Sequence, residues 1–417
     1  MSVRRRIVIA LLPCLAFLQT GYAQAPPPTP VTMQEAVEQT LAHNPVLLAS
    51  QQNLLSMKGQ EVEAGLRANP NFGLVGTDVS LSATNPAAPY GYAAQVSRLF
   101  ERGQKRRWRL DSARATTAQT EAQYRDQIRQ TTLLAKQSFT NLVLAKATLK
   151  LAQDNLKDYR HVLQINHDRY DAGDIGKLDY ERLDLQLAQF ESDESSAEMN
   201  LVQASDQLQT LMGIVQPSRS FDVVGDIVPP PVAATLTDLE QKALAARPDY
   251  QAAQAAVRIA DANVKLAYAN GTTDPTLEGE YDRAGTYNSA GFSVNIPLRI
   301  FDRNQGNKDT AKYLAQANRF SQVAAQNQVY SDVDQAWIGY TTSKVLSDRY
   351  NGHYLAEAKD VLSIAQFAYE HGGLALLDYL SALQDDRTTS LNALNSYAQT
   401  WMAIHQLSAA SATDVVP

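Results

Sequence analysis

Hydrophobic and polar positions follow two different periods along this chain, and each change of period marks an element. From about Gln104 to Tyr170 there is no proline, and Leu142, Ala145, Leu149, Ala152, Leu156, Tyr159 and Leu163 recur in steps of three and four. That spacing predicts a coiled-coil seam on one long helix. Beyond Gly173 the habit returns in Leu187, Phe190, Ala197, Leu201, Ala204, Leu208 and Leu211, with Glu194 the exception. A helix of about 65 residues is about 100 Å long at ~1.5 Å per residue, longer than any compact domain. Thr32 to about Arg67 reads as a shorter helix, broken by Pro70 and Asn71. Two shorter helices of about 36 residues, stacked end to end, match the long one, so each half of the chain can form a stave two rods thick.

Between the helices the period falls to two. Val75, Thr77, Val79 and Leu81 share one strand face against Asp78 and Ser80, and Tyr90, Tyr92, Ala94 and Val96 oppose Gly91, Gln95 and Ser97. Further on, Leu277, Gly279 and Tyr281 oppose Glu278, Glu280 and Asp282, while Ala290, Phe292, Val294 and Ile296 oppose Ser289, Ser293 and Asn295. Segments of about 9 to 11 residues alternating in this way have the length of tilted transmembrane strands. Two hairpins on a soluble core would be the ordinary reading of strand pattern alone. An export signal and flanking rods favour the membrane. Four strands cannot close a barrel, and lipid does not tolerate open edges, so two, three or four copies of the chain must supply the rest.

The whole pattern is written twice. Ala42-His43-Asn44-Pro45 is answered by Ala245-Ala246-Arg247-Pro248, and Leu99 to Gln104 by Ile300 to Gln305. The segment Tyr170 to Tyr180 runs parallel to Tyr369 to Tyr379. The domain reading is therefore a first repeat over 26–212, a proline-bearing linker over 213–235, a second repeat over 236–410 and a tail over 411–417. Residues 1–25 read as a secretory signal: Arg4, Arg5 and Arg6 precede an apolar run from Ile7 to Leu18, with two small-residue cleavage points beyond.

The lone cysteine, Cys14, falls inside that signal, so an exported chain would carry no disulfide and no thiol ligand. A net charge of -7 argues against nucleic acid as a partner. The six histidines, His43, His161, His167, His353, His371 and His405, include no pair at i,i+4 spacing, and each reads as an ordinary polar residue of a surface helix. Glu191, Asp193, Glu194 and Glu198 read as a solvated helix face. No nucleophile elbow, phosphate loop or zinc-hydrolase motif occurs, so no catalytic, cofactor or metal site is expected and the chain does not read as an enzyme.

Element order, duplicated tips and strand-to-helix junctions together resemble the TolC-like outer-membrane factors, from about Thr32 to about Leu407. Gly103-Gln104-Lys105-Arg106-Arg107 and Ile296 to Gly306 are similar to the CzcC-like branch, which exports heavy-metal cations. The resemblance implies a mainly α fold with a transmembrane β portion: a homotrimer with a twelve-stranded barrel in the outer membrane and a helical tunnel through the periplasm. It implies a periplasmic adaptor and an inner-membrane RND-type pump as partners, and no cofactor. The same architecture serving drug or protein export is the nearest rival, and a periplasmic coiled-coil scaffold the rival from another class.

Three groups of site residues follow. Lys105, Arg106, Arg107 and Trp108 are expected at the inner-leaflet headgroups of outer-membrane lipid, where basic and aromatic side chains meet both water and lipid. By resemblance, Arg169, Tyr170, Gly173, Gly372 and Gly373 are the tips that touch the adaptor, and Asp378 with Tyr369 forms the periplasmic gate. Three copies of Asp378 across a closed duct would favour cations. The family often has a second acid three residues later, where this chain has Ser381, and Asp179 in the first repeat has Arg182 as a partner.

Overall fold

A computed structural model describes residues 30–77 and 91–416. The expected signal segment with Cys14, the start of the first proline stretch, the strand positions expected from Asp78 to Tyr90 and Pro417 lie outside the described residues.

The first repeat opens with α1 (Met33–His43) and α2 (Pro45–Ala64). The single helix expected from Thr32 to about Arg67 is thus two. Pro45 has no N–H and disfavours helical geometry before it, so Asn44 is extended, and its Oδ1 accepts from the N–H groups of Val46 and Leu47 to start α2. Its Nδ2 donates to the Leu211 carbonyl, tying this break to the far end of the repeat. Strands β1 (Asn71–Thr77) and β2 (Gly91–Leu99) lead into α3 (Lys105–Asp171), an unbroken helix of 67 residues, and then α4 (Lys177–Leu211).

The second repeat repeats the order with α5 (Leu236–Ala246), α6 (Pro248–Asn270), β3 (Thr276–Ala284) and β4 (Tyr287–Asn295). Its long rod is interrupted: α7 (Gln305–Arg349) passes through a π-helical turn at Tyr350–Tyr354 into α8 (Leu355–Glu370), and α9 (Leu376–Ser411) returns. Nothing in the periodicity announced that turn.

The rod α3 packs on α2 and α6 toward the strands and on α4 and α9 further along, while α7 lies against α6 and α9, and α8 against α9. Of the expected seam, Leu142, Ala145, Ala152, Leu156 and Tyr159 are buried, and Leu149 and Leu163 are half-buried. Leu183, outside the expected α4 pattern, is fully buried with them and packs near Phe190. Midway along, α1, α3 and α4 enclose one apolar cluster with Val223 of the linker, and α5, α7 and α9 enclose another with Val415 and Val416 of the tail.

The four strands form one antiparallel sheet in the order β1-β2-β3-β4. Phe72 pairs with Val96 and Leu74 with Ala94; across the next ladder Val96 meets Gly279, and Ala94 meets Tyr281. Gly279 and Tyr281 then meet Phe292 and Ala290. Because paired residues share a face, one side of the sheet is apolar through its middle, with Arg98 at one end and Arg283 and Asn288 at the other. Phe72, Leu74 and Phe292 on it are 68%, 71% and 84% exposed. The other side carries Gln95, Glu278, Glu280 and Asp282.

This register corrects the reading of β1. Val75 pairs with Ala93, which puts it on the polar side, and Phe72 and Leu74 are the apolar-side residues. Alternation in β1 is ambiguous because Phe72, Leu74 and Val75 include adjacent apolar residues, and only the pairing partner decides the face.

Candidate functional site

At the end of the rods remote from the sheet, both repeats reverse through the same turn. Gly173, at φ 84°, donates its N–H to the Tyr170 carbonyl, and Asp174 donates to Arg169. Gly372, at φ 73°, donates to Tyr369, and Gly373 to Ala368. These are two Schellman motifs, each needing a residue without Cβ strain at the left-handed position. Across each turn a tyrosine stacks on the tyrosine ten residues later, Tyr170 on Tyr180 and Tyr369 on Tyr379, both with ring centroids 5.1 Å apart.

The two tips differ in burial. Tyr170 and Tyr180 are partly exposed, whereas Tyr369 and Tyr379 are buried together with Ala365 and Ala382. The Tyr369 hydroxyl donates to Asn166 Oδ1 at 2.6 Å, and Asn166 Nδ2 donates to the Val162 carbonyl. The Arg169 guanidinium lies 5.3 Å from the centre of the Tyr369 ring. Burial raises the phenol pKa of Tyr369 and pushes that of Tyr379 up to about 12, so both hydroxyls stay protonated at neutral pH. Tyr369 therefore joins the second repeat to α3 of the first through a buried, neutral hydrogen bond.

Asp378 lies in the first turn of α9, exposed, with its backbone N–H donated to the Ala375 carbonyl. It has no side-chain ion pair among the described residues. Its counterpart Asp179 sits 3.9 Å from Arg182. Asp378 is thus a free carboxylate just beyond the second tip.

Further up, a second link joins the repeats. Arg387 of α9 reaches Asp193 of α4 at 2.5 Å and lies 5.4 Å from the Phe190 ring centre, while Phe190 stacks on Tyr159 at 4.4 Å. The Tyr159 hydroxyl donates to the Leu183 carbonyl. Asp193 therefore belongs to an inter-repeat contact and not to a solvated face, and Glu191 is paired with Arg160 at 3.0 Å. Sequence reasoning missed Asn166, Arg387 and Asp193 because each partner is distant in the chain. A cation facing an acidic helix was the only available signal.

At the opposite end the expected anchor divides. Lys105 is buried, with Nζ bonded to Asp274 Oδ2 at 2.5 Å and to the Thr272 carbonyl at 2.9 Å. It braces α3 against the second repeat, which corrects its placement at the headgroups. Arg106 is exposed and donates Nε to the Gly65 carbonyl. Arg107 lies 4.8 Å from the centre of the half-buried Trp108 ring, and Lys265 lies at the same distance from it.

His405 needs correction as well. It is buried in α9, with Nε2 2.9 Å from Thr140 Oγ1, and burial together with the nearby Lys136 charge lowers its pKa to about 4. No group of three or more His, Cys, Asp or Glu suited to a metal occurs among the described residues.

Residues 36–214 match the model of a family described as outer membrane efflux protein. The chain is 25% identical over 418 residues to the cobalt-zinc-cadmium resistance protein CzcC of Cupriavidus metallidurans, covering 96% of this chain and 97% of that protein. It is 26% identical over 259 residues to the cation efflux system protein CusC of Escherichia coli strain K12, covering 59% of this chain and 56% of that one. A crystal structure of CusC superposes with a TM-score of 0.78 at 20% identity over 91% of both chains. The open-state MtrE outer membrane channel of Neisseria gonorrhoeae superposes with a TM-score of 0.76 at 19% identity, over 92% of this chain and 89% of that one.

Proposed function

We propose that this chain is an outer membrane efflux protein, the passive exit duct of a tripartite pump for heavy-metal cations. In this reading an inner-membrane RND-type pump supplies the energy and a periplasmic adaptor joins it to the duct. The observation that carries the cargo assignment is the similarity to CzcC, a cobalt-zinc-cadmium resistance protein by name, along nearly the whole of both chains. The geometry suits a duct, since one apolar and one acidic sheet face, mounted on rods of about 100 Å, provide a lipid side, a water side and a periplasmic reach. Both sheet edges are open, and three copies would close them into twelve strands.

The domain division into 1–25, 26–212, 213–235, 236–410 and 411–417 belongs to the same proposal. So do the adaptor contact at Arg169, Tyr170, Gly173, Gly372 and Gly373, and the headgroup contact of Arg106, Arg107 and Trp108. At the gate, Tyr369 would hold α8 to α3 while closed, and Asp378 would present its charge to the passing cation.

Deleting the gene should raise cellular cobalt, zinc or cadmium, measured by elemental mass spectrometry, and Asp378→Asn should weaken cation selectivity in planar bilayers. Unchanged metal content accompanied by new sensitivity to organic drugs would overturn the cargo assignment. Unchanged selectivity in an intact channel would remove Asp378 from the gate.

A further inference from the structure

Where the sheet of the first repeat meets its helices, Arg67, Arg98 and Arg106 line one cavity of about 340 Å³. They come from three separate segments: the connection before β1, the end of β2 and the start of α3. Glu101 is the only carboxylate in the lining, and Arg109 already holds it at 2.7 Å. The cavity therefore keeps an uncompensated positive charge.

Its position is equally specific. Arg98 pairs with Leu277, which pairs with Val294, so Arg98 continues the apolar face of the sheet two residues beyond Val96. Phe100, 42% exposed, forms an apolar wall. The Arg98 guanidinium lies 5.2 Å from the Phe100 ring centre, within range of a cation–π contact. Arg106 uses Nε on the Gly65 carbonyl and keeps its two terminal nitrogens. Guanidinium groups present planar donor pairs that match the oxygens of a phosphate.

We infer that this cavity binds the headgroup phosphate of an acidic phospholipid in the periplasmic leaflet, with the acyl chains lying along the apolar face of the sheet. A freely soluble phosphate would gain nothing from that face, whereas a lipid engages both. In the second repeat Arg299 matches Arg98, but Asn307 stands where Arg106 is, so each protomer has one such site. The inference rests on the reading that the apolar face meets lipid, and each arginine near a membrane surface favours acidic lipid by about fivefold.

The test uses the full-length protein purified from outer membranes in detergent, with retained phosphatidylglycerol counted by native mass spectrometry. Relative to wild type, R98Q should lower phosphatidylglycerol affinity about fivefold and the triple variant R67Q/R98Q/R106Q roughly a hundredfold, while R303Q leaves it unchanged. Unchanged retention in an assembled triple variant would overturn the site. If the triple variant does not assemble, phenylglyoxal labelling of the wild type decides: phosphatidylglycerol vesicles should protect Arg67, Arg98 and Arg106, and inorganic phosphate at equal concentration should not. Equal protection by inorganic phosphate would make the cavity an open anion site, and no protection by either would dismiss it. Absence of the protein from the outer-membrane fraction would instead refute the duct reading.

Discussion

Replacing Tyr369 with Phe removes one oxygen from the buried link between the repeats and leaves the ring in place. The lost hydroxyl donates at 2.6 Å to Asn166 Oδ1, and Asn166 is only 1% exposed, so water cannot readily take over. Stranding a buried acceptor costs about 1–3 kcal/mol. The stack on Tyr379 and the approach of Arg169 should survive, because both use the ring. If the bond exists only in the closed duct, the closed state loses roughly that amount, and about 1–2 kcal/mol already shifts the open-to-closed ratio about fivefold to thirtyfold. Single-channel recording in planar bilayers reads that ratio directly. Asn166→Leu should open the channel to a similar degree, and the double variant should add little, since both changes remove the same bond. Additive effects would mean that the two residues act separately. A channel that loses thermal stability with unchanged open probability would refute the latch, because the bond would then persist in both states.

Other consequences can be measured on the same protein. The folded pKa of His405, about 4, lies below its usual value of 6.5, so its stabilising contribution is full above pH 6.5 and is lost as pH falls toward 4. Thermal melts should show that loss, on the order of 3 kcal/mol per protomer, and His405→Gln should flatten it. Lys105→Met leaves the half-buried Asp274 with only the Arg102 N–H as a partner among the described residues and should destabilise by about 1–3 kcal/mol in urea titrations, whereas Arg107→Gln should cost under about 1 kcal/mol. Phe72→Arg, on the apolar face, should lower barrel stability by about 2–4 kcal/mol in lipid, while Val75→Arg on the polar face should be nearly neutral. The reverse order would restore the face assignment that the register overturned.

The rods were legible in the sequence because a buried stripe repeated over many turns is a redundant signal. The seam from Leu142 to Leu163 survives the half-burial of two of its members. The tips were legible because Gly173 and Gly372 must take left-handed angles and recur in equivalent contexts. What escaped was information carried by pairs. The face of β1 depends on which residue lies opposite Val75, the role of Lys105 depends on Asp274, and the pKa of His405 depends on helices that enclose it. No local period encodes such partners. The π turn at Tyr350–Tyr354 escaped for another reason: it changes the hydrogen-bond step of the backbone without leaving a marked side-chain pattern.

That turn makes the duplicated halves mechanically unequal. The first repeat spans its length with a continuous beam, whose bending would strain hydrogen bonds along all of α3. The second is a jointed arm, with α7 braced by three neighbouring helices above the joint and α8 resting mainly on α9 below it, tied to α3 near its tip by the Tyr369 to Asn166 hydrogen bond. A load applied at the tips is therefore shared between a member that resists flexing and one that yields at a defined height. Duplication supplied two copies of one part, and a single irregular turn lets one serve as frame and the other as lever.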